Sequence, residues 1–152
     1  MEPRSPYRLH HRLGYRVSRL SRVIQVRIEA VLAPYGLTRL MWCVLTGVGE
    51  EGLRMPSDLA DYVGVTRPTI SRLLRTLEAR GLVERHAPVT GDGRAVEICL
   101  SREGARIVAE ARAPIDAVVE HFTGKLSQEQ YAALMQAIDL LMQGESTALA
   151  DF

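Results

Sequence analysis

A pair of short helical segments in the middle of the chain, separated by one tight turn, constrains the fold more than any other feature. Pro56 opens the first segment, residues 57–63, because a proline at the first helical position sacrifices no hydrogen bond. Gly64 ends it, since glycine readily adopts the left-handed backbone common at helix C-termini. One residue then precedes Thr66, whose hydroxyl is suited to capping a second helix. This spacing predicts a helix-turn-helix unit.

The second helix of this unit is predicted to have one apolar and one polar side. Its apolar residues follow the spacing i, i+3, i+4 and i+7 and are Ile70, Leu73, Leu74 and Leu77. That spacing forms one stripe, which packs against a protein core. The opposite side of the helical wheel, flanked by Ser71 and Thr76, holds Pro68, Arg72, Arg75 and Ala79. We therefore expect a surface helix that ends at Arg80-Gly81 and directs its arginines outwards.

A β-hairpin is predicted directly after this helix. Residues 82–86 and 95–100 are rich in β-branched and apolar side chains, and the run Thr-Gly-Asp-Gly-Arg at residues 90–94 separates them. Such a run is typical of a turn between two strands. Arg94 is expected at the tip, where Asp92 can pair with it and fix its direction.

Helices are predicted on both sides of this central region. Residues 7–32 repeat apolar side chains at gaps of three and four, which indicates a helix that Pro34-Tyr35-Gly36 ends. Thr38 is suited to cap another helix over residues 38–47.

On the C-terminal side, Ser101 is predicted to cap a helix over residues 101–122, which Pro114 should kink or interrupt. Ser127 and Gln130 have the spacing of a capping box at the start of the last helix. The apolar stripe of that helix comprises Tyr131, Leu134, Met135, Ile138, Leu141 and Met142. The predicted fold class is thus mainly α with a small β-hairpin, in one domain spanning residues 1–152.

Charge is distributed unevenly, although the net charge is only +1. Residues 1–40 contain eight arginines and two acidic residues, whereas residues 101–152 contain three arginines, one lysine and eight acidic residues. A basic face can therefore coexist with an acidic one.

The sequence has neither an uninterrupted apolar run of transmembrane length nor the apolar core of a secretory signal. We therefore expect a cytoplasmic protein with no membrane partner.

Motifs of enzymes and metal centres are absent from the sequence. It contains no nucleophile elbow, phosphate-binding loop, HExxH motif or dinucleotide fingerprint, so we expect no catalytic residues and no cofactor. His10 and His11 are adjacent, and neighbouring side chains on a helix point about 100° apart, so no metal site is expected. Cys43 and Cys99 form no CxxC pair. Each is expected to be a buried, unreactive thiol, the alternative being a redox sensor.

The polar side of the second helix is suited to reading DNA. An α-helix fits the major groove, where arginine can donate two hydrogen bonds to guanine. The predicted DNA-binding residues are Thr66, Arg67, Pro68, Thr69, Ser71, Arg72, Arg75 and Thr76 on the helix, with Asp92 and Arg94 at the hairpin tip. The alternative is a solvated arginine face beside unrelated turns. The order of helix, turn, arginine-rich helix and hairpin favours DNA binding.

These segments resemble the MarR (multiple antibiotic resistance regulator) family of winged helix-turn-helix transcription factors. The resemblance lies in VTRPTISRLL at residues 65–74, LEARGLVER at 77–85, DGRA at 92–95 and LSREG at 100–104. Less specifically, it extends over about residues 8–143.

The resemblance implies an obligate homodimer that binds a pseudo-palindromic DNA operator. Its dimerisation helices are expected at about residues 8–35 and 101–144, and its winged helix-turn-helix lobe at about residues 38–100. The resemblance also implies a small-molecule cleft between these two parts.

A basic stripe on the first helix suggests what that cleft binds. Arg12, Arg16, Arg19 and Arg22 recur at gaps of four, three and three. The predicted ligand-binding residues are His11, Tyr15, Arg16, Arg19 and Trp42. We expect an anionic, aromatic or acyl-type effector, held by arginine against an apolar wall formed by Trp42. The alternative is a solvated arginine face beside a core tryptophan.

The predicted function is a ligand-responsive repressor, which such an effector releases from its operator. Two alternatives share the fold, namely a transcriptional activator and a cysteine-based redox sensor. A third is a winged-helix module that contacts another protein instead of DNA.

Overall fold

The computed structural model describes residues 8–87 and 96–145. Within them it has six α-helices and two β-strands, and their order agrees with the predicted fold class. They are α1 (Leu13–Leu32), α2 (Arg39–Gly49), α3 (Pro56–Val63), α4 (Arg67–Ala79), β1 (Val83–His86), β2 (Glu97–Leu100), α5 (Arg102–Thr123) and α6 (Gln128–Met142). Short 3-10 turns, Leu9–His11 and Ala33–Tyr35, lie on either side of α1.

The helix starts predicted from cap residues are confirmed. In each, the hydroxyl oxygen of the cap accepts a hydrogen bond from the backbone N–H three residues later, at 3.0–3.4 Å. The pairs are Thr38 with Met41, Thr66 with Thr69, Ser101 with Gly104 and Ser127 with Gln130. Ser127 also donates its backbone N–H to the Gln130 side chain at 2.9 Å, which completes the capping box.

The helix-turn-helix unit is anchored by the predicted apolar stripe of α4. Ile70, Leu74 and Leu77 are each at most 1% exposed, and they join one core with residues of α2, α3 and α5. Gly64 has a φ of 76°, so the tight turn between α3 and α4 uses the left-handed backbone that glycine tolerates. The core therefore fixes which side of α4 faces solvent.

The strands β1 and β2 form the predicted antiparallel hairpin, with Val83 opposite Leu100 and His86 opposite Glu97. The backbone N–H of Ile98 donates to the carbonyl of Arg54 at 2.8 Å, so the segment before α3 lines the outer edge of β2. The predicted tip, with Asp92 and Arg94, lies outside the described residues.

Helix α5 runs without a break through Pro114, so the predicted interruption is wrong. A proline removes one N–H and therefore one bond to the carbonyl four residues earlier. Pro114 and Glu110 are both exposed, so water can hydrate that carbonyl. Ala111 and Ile115, beside Pro114 on the helix, are buried in the core, and this packing holds the helix together.

Two helices carry apolar faces that the single chain leaves in solvent. On α1 the exposed large apolar residues are Leu13, Val17, Leu20, Val23 and Val26. On α6 they are Tyr131, Leu134, Met135, Ile138, Leu140, Leu141 and Met142, and no described residue of α6 is buried.

No single helix among the described residues has both the length and the hydropathy of a membrane span. Leu13–Tyr35 and Arg39–Gly49 meet the criterion only as a pair, and they are bent by 75° relative to each other.

Candidate nucleic-acid interface

The first turn of α4 is held in place by paired threonines. The Thr66 hydroxyl caps the helix, and it lies 3.0 Å from the Thr69 hydroxyl. Both threonines are half-buried. The remaining N–H groups of the first turn point out of the helix end, where they favour a negatively charged partner such as phosphate.

The solvent side of α4 carries the predicted reading residues. Arg67, Arg72 and Arg75 are exposed, as are the shorter side chains Pro68, Ser71 and Thr76. Within the described part of the chain, none of these three guanidinium groups forms a hydrogen bond or ion pair with another residue. Arg72 and Arg75 are one turn apart, so their side chains project from neighbouring positions. The face is therefore positively charged and available to an external acceptor.

The single acidic residue of α4 is neutralised at the far end of the helix. Glu78 accepts a hydrogen bond from Arg85 Nε of β1 at 2.9 Å, which also ties the helix to the hairpin. The one negative charge of α4 therefore lies near its C-terminal end and is paired with Arg85. Arg67 and Arg72 lie in the N-terminal half of the helix.

Comparison with known proteins identifies the family. A family model described as MarR family matches residues 35–95. An uncharacterised HTH-type transcriptional regulator of Mycobacterium bovis is 33% identical over 138 residues, which cover 91% of this chain and 93% of that protein. The chain belongs to the MarR family. It is therefore a DNA-binding transcriptional regulator, and the resemblance stated from the sequence is confirmed.

Solved structures agree with this assignment. CouR from Rhodococcus jostii, bound to p-coumaroyl-CoA, has a TM-score of 0.76 and 25% identity, covering 90% of this chain and 94% of that chain. A mutant of MarR from E. coli, in complex with operator DNA, has a TM-score of 0.75 and 22% identity, covering 86% of this chain and 93% of that chain. The second likeness shows a shared fold. In this winged-helix fold α3 and α4 form the helix-turn-helix unit and β1–β2 is the wing.

The predicted effector residues of this MarR-family chain are only partly brought together. Arg19 Nη1 lies 3.5 Å from the Tyr15 hydroxyl, and the two residues line an open hollow on α1. The hollow is completed by Ser18, Arg22 and Val23. His11 and Arg16 are exposed outside that lining, and Trp42 is buried in the core with 9% of its surface exposed. Trp42 therefore presents little surface as a wall within one chain.

The two cysteines are less buried than the sequence analysis predicts. Cys43 and Cys99 are both half-buried, and no disulfide joins them. Burial raises the pKa of the Cys43 thiol, and Arg39 nearby only partly offsets this effect. No group of three or more potential metal ligands occurs among the described residues.

Sequence reasoning missed the contacts of Arg80. The sequence marks this residue only as part of the stop at the end of α4, but it donates hydrogen bonds to the carbonyls of Tyr35 and Gly36. These partners are separated from it by 45 and 44 residues. A basic residue near a helix C-terminus is the only local signal, and it does not identify a partner at that distance.

Proposed function

We propose that this protein is a ligand-responsive repressor that binds a pseudo-palindromic operator as a homodimer. The observation that carries the proposal is the solvent side of α4. Three arginines without a partner among the described residues lie there, above a stripe of buried residues that fixes their direction.

Different roles are assigned to the two halves of this surface. Arg72 and Arg75 read base edges in the major groove, where a bidentate pair with guanine gives sequence discrimination. The first turn, with Thr66, Arg67, Pro68 and Thr69, docks against phosphates, because these residues lie where the helix N–H groups point outwards. Ser71 and Thr76 flank the reading arginines. Arg94 enters the neighbouring minor groove from the wing, with Asp92 fixing its direction.

A homodimer explains the exposed apolar faces of α1 and α6. A soluble chain seldom leaves so many large apolar residues in water unless they mark an interface. A two-fold axis would bury these faces against their copies and present two copies of α4, the proposed recognition helix, to one duplex. In this arrangement the dimerisation helices lie at about residues 8–35 and 101–144, with the apolar faces of α1 and α6 forming the contact, and about residues 38–100 form the DNA-binding lobe.

The effector is proposed to be an anionic aromatic or acyl-type molecule. The hollow on α1 offers Arg19 and Arg22 for charge-assisted bonds and Tyr15 for stacking. His11, Arg16 and Trp42 join this site only if the partner subunit or a movement of α1 completes it. The chemical class agrees with p-coumaroyl-CoA, which the similar CouR structure has bound. The effector releases the protein from its operator if it binds more tightly to a dimer whose recognition helices are wrongly spaced than to the DNA-binding form.

Selection of bound sequences from random DNA tests the proposal directly. We expect a pseudo-palindrome whose half-sites are about one helical turn, roughly 10 base pairs, apart. Binding without an enriched motif, or an enriched motif without dyad symmetry, would contradict a symmetric operator.

A panel of aromatic carboxylates and acyl-CoA thioesters, titrated against the complex of the protein with the selected site, then tests the effector class. The effector class is wrong if no anion in the panel weakens binding.

The redox alternative is disfavoured by the environment of Cys43. Thiolates react with peroxide and thiols do not, and burial, which raises the pKa, keeps this group in the thiol form. Peroxide should therefore not weaken operator binding through Cys43.

A further inference from the structure

The guanidinium group of Arg80 joins three elements at the C-terminal end of the recognition helix. Nη1 donates to the carbonyl of Gly36 at 2.6 Å, and Nη2 donates to the carbonyl of Tyr35 at 2.7 Å. Nη1 also lies 3.6 Å from the sulfur of Met41 in α2. Both terminal nitrogens are thus engaged by the protein, although the residue is exposed.

The loop that receives Arg80 is firmly attached to the end of α1. Gly36 has a φ of 62°, and a Cβ at this position would lie 3.1 Å from Arg80 Nη2. Leu32 and Leu37 on either side are buried, and the N–H of Leu37 donates to the Leu32 carbonyl at 3.3 Å. A movement of α1 is therefore transmitted to the two carbonyls that hold Arg80.

We propose that Arg80 is a positioning residue, which sets the angle of the recognition helix relative to α1 and hence the distance between the two recognition helices of the dimer. This inference rests on the proposed function. A small change in this angle moves the far end of α4 appreciably, because α4 spans about 18 Å from Arg67 to Ala79 at the usual rise of 1.5 Å per residue. A tilt of about 5° at the Arg80 end displaces the Arg67 end by about 1.6 Å. That displacement is large compared with the tolerance of a hydrogen bond to a base edge.

The test measures preference for half-site spacing, which a merely stabilising residue would not change. Wild-type protein, Arg80→Ala and Arg80→Lys are titrated against the selected operator and against versions one base pair longer or shorter between half-sites. We expect both variants to bind the optimal operator about tenfold more weakly, the loss that follows from a charged hydrogen-bonded tie. Their discrimination between spacings should also fall. Lysine keeps the charge but cannot bridge two carbonyls as a planar fork.

Arg106→Ala is the matched control. Arg106 is also exposed, but it pairs only with Glu103 and Glu110 on its own helix α5 among the described residues. Its removal changes the net charge equally and should leave both affinity and spacing preference at the wild-type values.

Three results would overturn the inference. If Arg80→Lys kept both the affinity and the spacing preference of the wild type, charge alone would matter at this position. A fall in the salt dependence of binding by Arg80→Ala would identify a phosphate contact instead. An equal loss at every spacing, together with a lower melting temperature, would indicate a role in stability only. Absence of specific binding by the wild-type protein is a separate outcome, which contradicts the proposed function itself.

Discussion

The two sides of α4 carry side chains with different roles. One side packs in the core, and the other is proposed to contact DNA. Ile70, Leu74 and Leu77 are buried, so the rotation of the helix is fixed without any contribution from its arginines. Arg72 and Arg75 are therefore expected to contribute to binding and not to folding. This division makes the two functions separable by mutation.

Replacing either arginine by alanine should weaken operator binding by about 1–3 kcal/mol, the value of a good bidentate contact with a base. The free energy of unfolding should change by less than about 0.5 kcal/mol, as is usual for exposed positions. Fluorescence anisotropy with the selected operator and urea unfolding measure the two quantities. Arg106→Ala serves again as the charge-matched control. Undiminished binding by both Arg72→Ala and Arg75→Ala would remove α4 from the interface.

Gly104 gives a prediction of the opposite kind, in which a substitution lowers the stability of the fold. It lies at the start of α5, where a Cβ would lie 2.0 Å from the carbonyl oxygen of Leu82, a backbone atom that cannot move aside alone. Gly104→Ala should therefore destabilise the fold by about 1–3 kcal/mol, the usual cost of overpacking. Gly49→Ala is the comparison, because a Cβ at this last position of α2 would meet only the end of the Leu100 side chain, whose Cδ1 lies 2.6 Å away and can rotate aside. That change should lower the melting temperature less than Gly104→Ala does, and equal effects of the two substitutions would contradict the steric argument.

At the level of elements, local signals in the sequence predict the structure where both partners of a hydrogen bond lie close together in the chain. Each predicted cap has its acceptor and donor three residues apart, so Thr38, Thr66, Ser101 and Ser127 are predictable from their immediate neighbours. The order of α3, α4 and the hairpin likewise follows from turn residues and apolar spacing.

Contacts between distant elements cannot be predicted in this way. Pro114 carries a local signal for a break, but packing of Ala111 and Ile115 overrides it. The bonds of Arg80 depend on a loop more than 40 residues earlier in the sequence. Family resemblance places Trp42 beside a cleft, whereas its burial depends on tertiary packing that the sequence does not display.

The last helix gives a prediction about assembly. Ile138 is 43% exposed in the single chain and lies in the apolar stripe of α6. Ile138→Asp should shift the protein from dimer to monomer, because burying an unpaired carboxylate in an interface is costly. Gln136→Asp is the matched control, since residue 136 lies on the opposite side of the helix. Sedimentation analysis distinguishes the two, and a dimeric Ile138→Asp protein would exclude this part of α6 from the interface.

On the scale of the whole molecule, the core and the proposed interface occupy different ends of the fold. The buried residues gather around the helix-turn-helix unit, with Leu32 at the end of α1 and Ile107 to Ile115 in α5. The earlier part of α1 and all of α6 contribute little to that core. The chain therefore completes the core around its helix-turn-helix unit alone, and in the proposed dimer a second copy covers the other end. In that dimer two-fold symmetry doubles every contact with DNA.

That doubling gives a quantitative expectation for salt dependence. Each phosphate contact releases counterions, so the logarithm of the binding constant falls against the logarithm of salt concentration by about 0.9 per contact. Arg67 is the first residue of α4, in the turn that is proposed to contact phosphates, and a dimer has two copies. Arg67→Ala should thus reduce the slope by about 2 on operator and random DNA alike. Arg75→Ala should lower affinity mainly for the operator. A wild-type slope near zero would favour a protein-contact module, because such an interface releases few counterions from DNA.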